Sequence, residues 1–192
     1  MKSFASCTLL LVGIGIASPA SAQALLPPTA AEQALMEAAF SGKLDDVRRL
    51  VSLGVPVEAV DEDKRTSLML AAFNGHTAVV ELLLESGAKV DPKDVNGRTA
   101  LMYASSGPFK ETVELLLKKG ADVNVQGKLE GFTALMTAAA EGQVEVVRLL
   151  LAHGADTNIV DKDGDTAASF ARQKNHAAVE ALLKDLPSAE SE

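Results

Sequence analysis

An apolar stripe closed by glycine recurs along the chain, from Val47 to Gly54, Val80 to Gly87, Val113 to Gly120 and Val147 to Gly154. The four glycines stand 33, 33 and 34 residues apart, the period of a solenoid of stacked supersecondary units. A second landmark keeps the same register: Thr66-Ser67-Leu68-Met69, Thr99-Ala100-Leu101-Met102 and Thr133-Ala134-Leu135-Met136, each threonine 21 residues before its glycine. The two helices of every unit therefore have constant length. From each glycine to the next threonine the count is 12, 12, 13 and 12, so the one extra residue falls in the Gln126 to Gly131 connection.

Within a unit the threonine is placed to N-cap a first helix, on which Leu68, Ala71 and Ala72 share one face at helical spacing. Asn74-Gly75, Ser106-Gly107-Pro108 and Glu141-Gly142 interrupt that helix. A second helix follows with the valine-leucine stripe. Gly87, Gly120 and Gly154 then occupy the left-handed position that closes it, where a Cβ would be penalised. A helix pair alone leaves its stripe in water, so the pairs must stack.

These residues resemble the ankyrin repeat over positions 31 to 186, through phrases such as Asn96-Gly97-Arg98-Thr99-Ala100-Leu101 and Leu149-Leu150-Leu151-Ala152-His153-Gly154-Ala155-Asp156. The resemblance implies an all-α solenoid of stacked helix-turn-helix units with hairpin-like connections. The family's Thr-Pro-Leu-His is Thr-Ser-Leu-Met or Thr-Ala-Leu-Met here, so Met69, Met102 and Met136 are expected to replace histidine hydrogen bonds with apolar packing. Five units are expected: 31–61, 62–95, 96–130, 131–162 and 163–186. Thr29-Ala30-Ala31-Glu32 has the pattern of a capping box that starts the first, and Lys184 makes the outer face of the last one polar.

Before the repeats the chain reads differently. Lys2, an apolar run from Phe4 to Ala17, Pro19 and Ala20-Ser21-Ala22 follow the order of a secretory signal peptide over 1–22, cleaved between Ala22 and Gln23. The 14-residue run is shorter than the roughly 20 residues of a membrane-spanning helix. Residues 23–30 read as a linker and 187–192 as a tail, and the mature chain is expected to be periplasmic or secreted. Cys7, the only cysteine, leaves with the leader, so the 170-residue mature chain must be held by packing, without disulfides. Its net charge is −9, one unit below the full chain's −8 because Lys2 is lost. That balance, with no basic cluster, argues against nucleic acid and against anionic membrane surfaces.

Reactive constellations are absent from the sequence. His76 and His176 fall in the turn before a second helix and His153 beside Gly154, positions that suit turn and cap roles. Asp61, Glu62, Asp63, Asp91, Asp94, Asp161, Asp163 and Asp165 cluster at the inter-repeat turns, where aspartate bonds its own backbone. Arg172 stands where an EF-hand loop at Asp161 to Asp165 would need its bidentate glutamate. No metal, cofactor or catalytic group is assigned.

The resemblance implies a protein partner on the concave side, contacted by connection tips and first helices. Carried onto this chain, the candidates are Arg65, Leu70, Phe73, Asn74, Asn96, Arg98, Tyr103, Leu129, Glu130, Phe132 and Glu141. Phe73, Tyr103 and Phe132 with Arg65 and Arg98 are the expected anchors, since aromatics and arginines dominate interface energetics. Two uses compete for Phe73 and Tyr103, partner contact and packing between helices. The reading is a monomeric, non-catalytic interaction module; the alternatives are an accessory factor steadying another exported enzyme and an enzyme concealed in the scaffold.

Overall fold

The computed structural model describes residues 29–184, so the leader, the 23–28 part of the linker and the tail lie outside it. Among the described residues ten helices form five pairs: α1 (Ala30–Phe40) with α2 (Leu44–Ser52), α3 (Ser67–Phe73) with α4 (Thr77–Glu85), α5 (Ala100–Ala104) with α6 (Lys110–Lys118), α7 (Ala134–Ala140) with α8 (Val144–Ala152), and α9 (Ala167–Gln173) with α10 (Ala177–Lys184). Odd-numbered helices pack on their odd neighbours and even-numbered on even ones, giving two layers. Among the described residues there is no strand, only an isolated antiparallel bridge between Val60 and Thr66 that marks a hairpin-like connection.

Threonine starts the inner helices as expected, with one exception. Thr66 Oγ1 accepts from Met69 N–H at 3.3 Å, and Thr133 and Thr166 accept from Met136 and Ser169 in the same way. Thr99 takes the same extended conformation, yet its hydroxyl makes no cap bond and is buried without a partner. The capping box at the first helix is present in full: Thr29 Oγ1 accepts from Glu32 N–H, and the Glu32 carboxylate accepts from Thr29 N–H at 2.6 Å. It extends α1 three residues upstream of Gln33, which holds the threonine position.

Outer helices end at glycines with φ of 82° at Gly54, 92° at Gly87, 88° at Gly120 and 82° at Gly154. Gly87 N–H donates to Leu84 and Ala88 N–H to Leu83, a Schellman closure repeated at Gly120 and Gly154. The core runs unbroken through both layers and includes Leu35, Val47, Leu68, Val80, Leu83, Leu101, Val113, Leu116, Leu135, Val147, Leu150 and Val179. Met69, Met102 and Met136 are all buried in it, as the missing histidines require. Ala71, Ala72, Ala104, Ala138 and Ala139 are fully buried where inner helices meet, their small side chains permitting close approach.

Candidate protein-binding face

The connections between units are fingers organised by aspartate. Asp61 Oδ1 accepts from the Asp63 and Arg65 amides at 3.0 and 2.8 Å, and Oδ2 accepts from Arg65 Nε at 2.8 Å. Asp94 repeats the arrangement with Asn96 and Arg98, and Asp161 with the Asp163 and Asp165 amides. Asp61, Asp94 and Asp161 thus bond their own backbone as expected, whereas Asp91 accepts the Asp122 amide of the next unit and Asp165 accepts from Gln173. In the lengthened connection Gly127 takes the aspartate slot, its N–H donating to Phe132 carbonyl at 2.8 Å, and Phe132 stands where Arg65 and Arg98 stand elsewhere. Successive fingers are tied tip to tip, Val95 N–H to Asp63, Lys128 N–H to Asn96 and Lys162 N–H to Glu130.

Inner helices and fingers together form one face, and the three expected aromatics meet there. Phe73 and Tyr103 rings stand edge to face with centroids 6.0 Å apart, and the Arg98 guanidinium lies 4.8 Å over the Tyr103 ring. Phe73, Arg98, Met102, Tyr103, Ser106, Phe132 and Thr137 line a recess of about 190 Å³. Phe132 continues the stripe to Phe170, centroids 5.1 Å apart. Phe73 is 45% exposed and Phe132 36%, whereas Tyr103 is half-buried. Tyr103 therefore serves both competing uses: its ring faces the recess while its hydroxyl donates to Asp94 Oδ2 at 2.8 Å. Burial and that carboxylate push the phenol up to about 12. Burial also acts to raise the Asp94 carboxyl, but hydrogen bonds from the Arg98 amide, Tyr103 and the Arg98 guanidinium outweigh it and hold the group below its usual range.

The other nominated residues divide by what they touch. Asn74 Nδ2 donates to the Phe40 carbonyl of the preceding unit at 2.8 Å, Asn96 carbonyl receives Lys128, and Glu130 pairs with Lys162 of the next finger. Asn74 and Glu130 thus commit their side chains to neighbouring units, and Asn96 only its backbone carbonyl. Arg65 is held by Asp61 and Asp63, and the Asp61 hydrogen bond raises its guanidinium above the ordinary value. Leu129 is 60% exposed and, with Arg98, Glu130 and Phe132, borders a second recess of about 210 Å³. Glu141 is exposed and Leu70 half-buried.

Phe40 and Phe170 join this face without having been nominated. Register carries the signal for both: Phe40 lies 33 residues before Phe73, and Phe170 follows Thr166 by four as Tyr103 follows Thr99. Two of the three histidines link one unit to the next. His76 Nε2 contacts the Phe40 carbonyl and His176 Nε2 the Ala140 carbonyl, both at 3.0 Å, while His153 Nδ1 contacts Leu149 carbonyl within its own helix end. Among the described residues no group of three His, Cys, Asp or Glu side chains is placed to hold a metal, and no helix is long and apolar enough to cross a membrane.

A family pattern described as ankyrin repeats, in three copies, matches residues 35–127 and 109–190. No curated protein matches the chain.

Proposed function

Because the chain belongs to the ankyrin-repeat family, we propose that it is an exported module that binds a partner protein through the face built by its inner helices and fingers. Ankyrin repeats generally mediate protein–protein interaction and are typically non-catalytic. One observation supports this reading above the rest: the aromatic stripe Phe73, Tyr103, Phe132 and Phe170 crosses four units and leaves Phe73 and Phe132 in solvent. Exposed aromatics on a rigid surface bury large area at little entropic cost. Export is supported by the leader pattern, and a mature chain without cysteine fits an oxidising compartment without depending on disulfides. The module is proposed to act as a monomer, its −9 charge opposing self-association.

Phe73→Ala/Phe132→Ala is the variant of choice, since Tyr103 also anchors Asp94 and its loss would disturb the finger. Native co-purification of the mature chain is expected to recover a partner that the double variant loses by tenfold or more, about the effect of truncating a hot spot. Retention of every partner by a folded double variant would overturn the assigned face. Mass spectrometry of exported protein is expected to find an N-terminus at Gln23.

A further inference from the structure

A recess lies at the N-terminal end of the inner face. A groove of about 650 Å³ is lined by Met36 and Phe40 of α1, Leu70 of α3, and the 61–65 finger. Its apolar floor is Met36, Phe40 and Leu70; Glu37, Asp61, Glu62 and Asp63 surround it, with Arg65 the only cation among the described residues of the lining. The lining therefore carries a net charge of −3. Arg65 is already paired, at 2.8 Å with Asp61 and 3.4 Å with Asp63. Glu37 and Glu62 form no ion pair among the described residues.

Phe40 is 46% exposed, and unlike its counterpart Phe73 it meets no aromatic ring among the described residues. Its backbone is nevertheless fixed, because the Phe40 carbonyl receives Asn74 Nδ2 and contacts His76 Nε2 from the next unit. An apolar wall held in place from behind does not have to be ordered by its ligand, which removes part of the usual cost of binding. The floor continues toward the aromatic stripe, since Leu70 and Phe73 lie three residues apart on α3 and so share a helix face.

We propose that this groove receives a segment of the partner protein bearing a large apolar side chain flanked by lysine or arginine. This rests on the reading of the inner face as a partner surface and specifies the partner's chemistry. The apolar residue fills the Met36, Phe40 and Leu70 floor, and the flanking cations meet Glu37 of α1 and Glu62 of the finger, the two lining carboxylates without an ion pair among the described residues. The −9 charge of the mature chain favours approach of a basic partner at long range, and the groove fixes where it docks.

Three fluorescein-labelled peptides test this, each with the same Leu-Phe centre and flanked on both sides by lysines, by serines or by glutamates. Fluorescence anisotropy with the mature chain is expected to rank lysine over serine by about tenfold at low ionic strength and serine over glutamate, the gaps closing as salt rises. Amide chemical shifts are expected to move at Glu37, Phe40, Glu62 and Leu70. Glu37→Lys/Glu62→Lys is expected to invert the ranking in favour of the glutamate peptide, a gain that misfolding does not produce. Equal binding of the three peptides, no binding, or shifts confined elsewhere would overturn the proposal. Loss of the natural partner on Phe73→Ala/Phe132→Ala without any peptide preference removes the groove and leaves the inner-face reading standing. A peptide-binding groove in a chain whose natural partner ignores that double variant upholds the groove and removes the aromatic anchor.

Discussion

The Asp91 carboxylate accepts the Asp122 amide at 3.0 Å, while its Oδ1 is buried without a hydrogen-bond partner. Burial, outweighing that amide bond and reinforced by the nearby Asp122 charge, raises its pKa. A carboxylate whose folded pKa is raised stabilises the fold below its unfolded value of about 3.9, and that contribution is lost as pH rises through the folded value. At neutral pH Asp91 therefore carries a charge the fold resists. Asn124 holds the same register one unit later, accepting from Asp156 N–H and donating Nδ2 to Gly154 carbonyl, the outer-helix glycine whose counterpart for residue 91 is Gly120. Asp91→Asn is thus expected to raise the melting temperature at pH 7, with the advantage shrinking as pH falls into the carboxylate range. A constant difference across pH would sink the account. Glycines give a second contrast at this scale. A Cβ on Gly75 (φ 68°) would lie 2.1 Å from the Phe109 ring, whereas one on Gly120 (φ 88°) meets nothing within 4 Å. Gly120→Ala is expected to cost about 1 to 2 kcal/mol from backbone strain alone, with Gly120→Val at least as much, and Gly75→Ala clearly more because overpacking is added. Urea denaturation checks the order.

Inner helices test capping at equivalent positions of the repeat. Thr133 caps α7 through Met136 N–H at 3.2 Å, and Thr99 occupies the same position before α5 with its hydroxyl buried and unpaired. Thr133→Val is expected to destabilise by about 1 kcal/mol, while Thr99→Val is expected to be neutral or slightly stabilising, because it removes a buried hydroxyl that has no partner. Equal losses at both would mean that the threonine contributes through shape. Helix order and their glycine ends were legible in the sequence, since threonine and glycine mark each boundary by local chemistry. The five-residue length of α5 was not: Ser105 and Ser106 hydroxyls donate to the Leu101 and Tyr103 carbonyls as the helix closes early. The placing of Phe73, Tyr103 and Phe132 on one side followed from the family resemblance, since they hold three different positions of the register. That Asn74 and Glu130 are engaged with neighbouring units did not, because those contacts depend on how closely one unit stacks on the next, which no local pattern encodes.

Each unit of the solenoid contacts only its neighbours, so removing the last should shorten the molecule without dissolving it. The fifth pair covers α7 and α8, brings Phe170 to Phe132, and ends in Lys184 bound to Glu180 at 2.7 Å. The first four units keep the capping box of α1, the Thr66 and Thr133 caps, the glycine closures and the finger ladder up to Glu130. A mature chain ending at residue 162 is therefore expected to unfold cooperatively in urea. Because m follows the surface exposed on unfolding, its slope should fall by about one fifth, with a lower midpoint and an unchanged helical signal per residue. Loss of the cooperative transition would instead show that the fifth unit is required for the others to fold. In the folded truncation two whole units separate the peptide groove at Met36, Phe40 and Leu70 from the cut, so the proposed lysine-peptide preference should persist while Phe132 loses its Phe170 neighbour. The two ends of the face are then separable, and a partner's dependence on each is measured in one molecule.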